Sequence, residues 1–308
     1  MTNIDPVYFL TPLVVLAFSF GLLIYWRLRR SLTLWAILAS LIAYAGAIAL
    51  KEILQAATLT SYDSAVGGNL VLLGVYYGSQ TAVFEVGGAF LVAFLAVKYR
   101  KLGERDAEGF GLGLAFWENA VLLAIPLLLD YLVFYLVLAH PGTAAYQALY
   151  PTLSKNSPAL FYGPVAALRA VGLAVLERVS SLLAHFSWGL LAVFAATRRR
   201  YNFLLVAAPL GFVVDFLTPF SGVLGLVVFE VLLFLVCLVG LWVTLHWTRG
   251  IREEERDREP PVPPAGAVPP TRPARESTRP RTGLGGADTE PGVPEGRERP
   301  TAGNGPGH

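Results

Sequence analysis

Long apolar runs, each closed by a short cluster of polar or basic residues, dominate the first 250 positions of the chain. A helix needs roughly 20 mostly apolar residues to cross a bilayer. Seven stretches meet that length: about 7–26, 32–50, 78–97, 111–130, 166–196, 202–218 and 223–247. The fifth is long enough to tilt or to project from the bilayer. The stretch 64–77, SAVGGNLVLLGVYY, is apolar but interrupted by glycines, and reads as a re-entrant or interfacial approach to the third span. Residues 139–164 hold Pro141, Pro151, Pro158 and Pro164 and read as an external loop.

The pattern changes at residue 251. From Arg252 onward the chain has no aromatic residue and holds over half of the 21 prolines. Such a segment cannot bury enough apolar surface to fold. The expected organisation is therefore an all-α, polytopic bundle of about seven transmembrane helices over 1–250, with a disordered tail over 251–308. The start of the tail, REEERDRE, reads as a solvated mixed-charge linker.

Composition sharpens this picture. Hydrophobic residues make up 55% of the chain and charged residues 15%, with a mean hydropathy of +0.55. A soluble domain carries about 25% charged residues. Basic residues cluster in alternate loops: Arg27, Arg29 and Arg30, then Lys98, Arg100, Lys101 and Arg105, then Arg198, Arg199 and Arg200, then Arg249 and Arg252. The intervening loops hold only Lys51 and Lys155. The positive-inside rule then places the N-terminus outside and the tail in the cytoplasm. The N-terminus lacks a basic segment ahead of its apolar run, so it reads as an uncleaved first span. The chain is expected to live in the lipid bilayer of a prokaryotic cell membrane, with no nucleic-acid partner. Cys237 is the only cysteine, so disulfides and cysteine-rich metal sites are excluded.

Ionisable side chains inside spans carry the candidate chemistry, because each costs a few kcal/mol to insert and needs a partner or a purpose. Glu85, Glu118, His185 and Asp215 lie 13 to 15 residues from Lys98, Arg105, Arg198 and Arg200 respectively. At 1.5 Å per residue all four share one level, about 20 Å from the basic boundary. Arg178, Ser181 and His185 recur on one face of the fifth span, beside Glu177. Asn119 follows Glu118. Two chemistries suit this layer. A carboxylate and a histidine can activate a water, or His185 with two carboxylates can hold a divalent metal. Plainer readings stand beside them. Glu177 and Arg178 can anchor the span, and His185 can be an interhelical hydrogen-bonding residue. Gly87 and Gly88 after Glu85 can mark close helix packing. Asp215, ahead of Thr218 and Pro219, can cap the end of a span. Glu230 can be an interhelical hydrogen-bonding group.

At these residues the chain resembles the YhfC family of intramembrane proteases, related to the CAAX-processing and bacteriocin-processing membrane proteases. The resemblance covers about 66–220. Phe84–Gly88 (FEVGG) resembles the family's F-E-E-x-x-R segment, and Gly111–Glu118 (GLGLAFWE) its G-x-G-H-G-x-x-E segment. Glu177-Arg178 to His185 resembles its E-R-x(6)-H segment, the most specific match. Gly211 to Asp215 resembles its H-x-x-x-D segment. The resemblance implies that Glu118 and His185 activate water, with Glu85 assisting and Glu177, Arg178, Asp215 and Asn119 in support. The substrate it implies is a membrane-embedded or membrane-proximal peptide. Val86 stands in place of a second glutamate, Ala89 or a neighbour in place of the arginine, and Leu114 and Gly211 in place of histidines. With those histidines gone, a glutamate-type protease or an inactive relative fits better than a metal enzyme. The alternative is a non-enzymatic scaffold or a small-solute or proton-linked carrier built on the same polar layer.

Overall fold

The computed structural model describes residues 3–30 and 32–258. Among them there is helix and no strand. Seven helices are long and apolar enough to cross a membrane. They are α1 (Pro6–Arg29), α2 (Leu34–Val66), α3 (Leu70–Lys98), α4 (Glu104–Leu138), α6 (Pro164–Arg198), α7 (Tyr201–Leu224) and α8 (Leu226–Arg258). A shorter helix, α5 (Ala144–Asn156), lies between α4 and α6. The chain is thus an integral membrane helix bundle. The last helix runs on to Arg258, beyond the expected boundary at 250. The tail expected to be disordered lies almost wholly outside the described residues.

The helix ends follow local chemistry. Thr33 caps α2 by accepting from the Ala36 amide, and its hydroxyl donates to Asp106 Oδ1 at 2.8 Å. Two expectations fail between residues 51 and 80. The helix α2 does not end near residue 50 but continues to Val66, 33 residues and about 50 Å of helix in all. The stretch 64–77 is not re-entrant. Gly67 ends α2 in the left-handed conformation (φ 60°), and Asn69 caps α3 through the Val71 and Leu72 amides. The Gly-Gly-Asn sequence is a helix stop followed by a helix start, and α3 is unbroken from Leu70 to Lys98.

The expected loop at 139–164 is also largely helical. Thr143 caps α5, and Leu153 and Leu160 pack with Ile4, Tyr8, Leu138, Ala167 and Val171 in a small core at that end of the bundle. The main core forms around α6. Of its apolar window 72% is buried, against at most 33% in any other span, so α6 is the central helix. It crosses α4 backbone to backbone. A Cβ on Gly111 would lie 2.5 Å from the Phe186 carbonyl oxygen, and one on Gly189 would lie 2.6 Å from the Gly111 Cα. Only glycine permits that approach. The alternative reading of Gly87 and Gly88 as a glycine-dependent close approach does not hold. A Cβ there would meet nothing nearer than 3.7 Å and 3.9 Å.

Candidate active site

Two of the expected site carboxylates stand on irregular helix. Thr81–Val86 of α3 and Trp117–Ala124 of α4 are π-helical. A π turn inserts an extra residue per turn, rotating the side chains that follow it, and is frequent at functional sites. Glu85 lies in the first π segment, and Glu118 and Asn119 lie in the second. Nothing in a 3.6-residue pattern reveals either one.

The shared level predicted for Glu85, Glu118, His185 and Asp215 is a real convergence. The central helix presents His185, which is 5% exposed, between the two glutamates. His185 Nδ1 lies 2.9 Å from Glu118 Oε2 and 3.0 Å from the Ser181 carbonyl oxygen. Both are acceptors, so Nδ1 carries the hydrogen. On the opposite ring edge, Nε2 lies 3.3 Å from Glu85 Oε2 without a well-aligned hydrogen bond, and it is buried. The ring is held by aromatic neighbours, Trp188 at 4.3 Å and Tyr44 at 5.9 Å between centroids.

Each glutamate is tied to a cation. Glu118 Oε1 accepts from Arg178 at 3.2 Å, and Glu118 Oε2 accepts from the Ser181 hydroxyl at 2.9 Å. Arg178 also pairs with Glu177. Glu85 Oε1 accepts from Lys51 Nζ at 2.5 Å. The same ammonium donates to Asp215 Oδ2 at 2.9 Å and to Thr81 Oγ1 at 2.9 Å, and the Thr81 hydroxyl donates to Asp215. Acid and base alternate along one line: Asp215, Lys51, Glu85, His185, Glu118, Arg178, Glu177. Asn119 is fully buried and stands behind this line, donating to the Arg178 carbonyl oxygen at 3.2 Å. All the expected site residues are therefore together. Asp215 faces Lys51 rather than capping its helix. Glu230 is buried with Oε2 unpartnered and does not line the cavity.

Lys51 is the residue that sequence reasoning misplaced. The sequence places it in a loop between spans, yet it stands mid-helix in α2. Counting upward from the Thr33 cap places it roughly 27 Å along the helix, within reach of the carboxylate level. The depth count that aligned the carboxylates would have found it. Thr81, Tyr44 and Trp188 carried no such signal.

Lys51, Glu85, Glu118, Arg178, Ser181, His185 and Asp215 all line one cavity of about 330 Å³. That space admits water.

A family model, the YhfC intramembrane metalloprotease, matches residues 13–235. The chain belongs to the YhfC family. No curated protein and no solved structure matches it significantly.

Membership in the YhfC metalloprotease family implies a metal, and the donor set can be tested for it. A catalytic zinc takes about three protein ligands converging on one point. Among the described residues no three His, Cys, Asp or Glu groups are arranged to hold a metal ion. Glu118 and Glu85 lie on opposite nitrogens of the same imidazole, and Asp215 is taken by Lys51 and Thr81. Two of the motif positions that lack polar groups also touch each other. A Cβ on Gly211 would lie 2.7 Å from Val86 Cγ2, and Val86 is 1% exposed. Leu114 packs onto Gly189 in the same manner. These positions are closed by apolar packing, and the residues present do not fit a divalent metal.

Proposed function

We propose that this YhfC-family protein is an intramembrane peptidase whose water is activated by Glu85 and His185. The observation that supports this is the unpartnered His185 Nε2 facing Glu85 Oε2 at 3.3 Å on a cavity wall. With the hydrogen on Nδ1, Nε2 and Glu85 Oε2 are two acceptors side by side. A proton shared between them, or a water donating to both from the cavity side, satisfies the pair. Glu118, expected as the main base, is occupied by Arg178 and Ser181. It orients the imidazole instead, so the roles of the two glutamates exchange.

In this reading the water gives its proton to the Glu85–His185 pair as its oxygen attacks the peptide carbonyl carbon. The C–O bond forms, and the tetrahedral intermediate carries an oxyanion. Lys51 spends its three N–H donors on Glu85, Asp215 and Thr81. Arg178 has five donors and bonds two carboxylates, so it retains N–H groups for the oxyanion. The C–N bond then breaks as the stored proton passes to the leaving amine. Leu122 and Leu123 line the cavity and are 46% and 37% exposed on the outer apolar surface. A membrane-embedded peptide can reach the cavity sideways past them.

A carrier needs a polar route toward both faces. From Phe186 to Ala196 the central helix is buried and, apart from Ser187, apolar. That favours a blind catalytic cavity over a transport path. The test is cleavage of fluorogenic transmembrane peptides by the full chain in proteoliposomes. Glu85→Gln and His185→Ala should each lower the rate by at least about 100-fold. Rates equal to wild type in both variants would remove the hydrolytic reading.

A further inference from the structure

One buried charge in the cavity takes no direct part in the proposed reaction. Lys51 is mid-helix in a membrane span, with its side chain 13% exposed. An ionisable group at that depth is costly unless it is matched to a purpose. Its ammonium lies among three oxygens from two other helices: Glu85 Oε1, Asp215 Oδ2 and Thr81 Oγ1, at 2.5–2.9 Å. Without the ammonium, three oxygens, two of them carboxylate, would face one vacated point, and such oxygen donors accept a divalent ion. With it, the positive charge is already supplied by the chain.

We propose that Lys51 is the resident cation of this site. Its ammonium occupies the space between Glu85 and Asp215 that a divalent metal would need, so the protein works without one. Lys51 is a positioning residue, turning Glu85 Oε1 toward itself and leaving Oε2 for His185 and the water. This rests on the hydrolytic reading of the cavity only for its purpose. The geometry that excludes a metal stands apart from any cleavage.

The experiment is a cobalt titration of the purified full chain in detergent after chelation. It is read by visible absorbance and by metal retained through gel filtration. No peptide is cleaved in it, so its failure and the failure of the hydrolytic reading are separate. Wild type and Lys51→Arg should retain well under one equivalent. Lys51→Ala should bind about one equivalent, at least about tenfold more tightly than wild type, and Lys51→Ala/Glu85→Gln should lose it. Lys51→Gln serves if the alanine variant does not elute as a monodisperse species. Stoichiometric binding by wild type that Glu85→Gln abolishes overturns the proposal. A folded Lys51→Ala or Lys51→Gln protein that gains no affinity overturns it too.

Discussion

Replacing Arg178 by methionine tests whether the alternating line of charges holds the bundle together. Arg178 joins α6 to α4 through Glu118 at 3.2 Å, with side chains 16% and 17% exposed. Removing one partner of a fully buried ion pair costs about 3–5 kcal/mol, because the other charge is left without compensation. Here both groups face a cavity, and water there screens part of the loss. About 2–3 kcal/mol is the corresponding expectation for Arg178→Met. Removing both charges in Arg178→Met/Glu118→Gln leaves no unmatched charge between the helices. Glu177, the other partner of Arg178, is 42% exposed and can be solvated. The double variant should therefore be more stable than Arg178→Met alone, with a coupling of at least about 1 kcal/mol. Reversible unfolding of the purified protein in mixed micelles, run as a double-mutant cycle, measures this. A double variant as unstable as the sum of the two single changes would refute the reasoning.

Two further predictions concern packing and orientation. Gly189→Ala places a Cβ 2.6 Å from the Gly111 backbone and should destabilise the bundle by at least about 1–3 kcal/mol, whereas Gly88→Ala, with nothing nearer than 3.9 Å, should be neutral or slightly stabilising. Thermal unfolding of the two variants side by side checks this; equal melting temperatures would contradict the close α4–α6 crossing. The C-terminal ends of α1, α3 and α6 carry the basic clusters Arg27, Arg29 and Arg30, then Lys98, Arg100 and Lys101, then Arg198, Arg199 and Arg200, so we propose an N-terminus outside and a C-terminus in the cytoplasm. Reporter fusions after residue 100 and after residue 258 should both report the cytoplasm, and a signal from the opposite side of the membrane at either would reverse the assignment.

The apolar runs alone determined seven spans and an all-helical bundle, because a bilayer core leaves backbone groups no partner outside a helix or a closed barrel. Counting from the basic boundaries also brought Glu85, Glu118, His185 and Asp215 to one depth, since helical rise is constant. Depth carries no azimuth, however. That these groups face one another was decided by packing around α6, where Gly111 and Gly189 let two backbones touch. The π turns beneath Glu85 and Glu118 aimed those side chains, and they have no periodic signature. Lys51 was legible as a charge but not as a site residue. A lone charge looks like a span end until the helix is seen to continue past it to Val66 and three partners from other helices close around it. Which glutamate has both oxygens engaged and which keeps one beside only the imidazole is likewise tertiary. Both are carboxylates at the same depth; Arg178 and Ser181 engage both oxygens of Glu118, whereas Lys51 and Thr81 engage only Oε1 of Glu85.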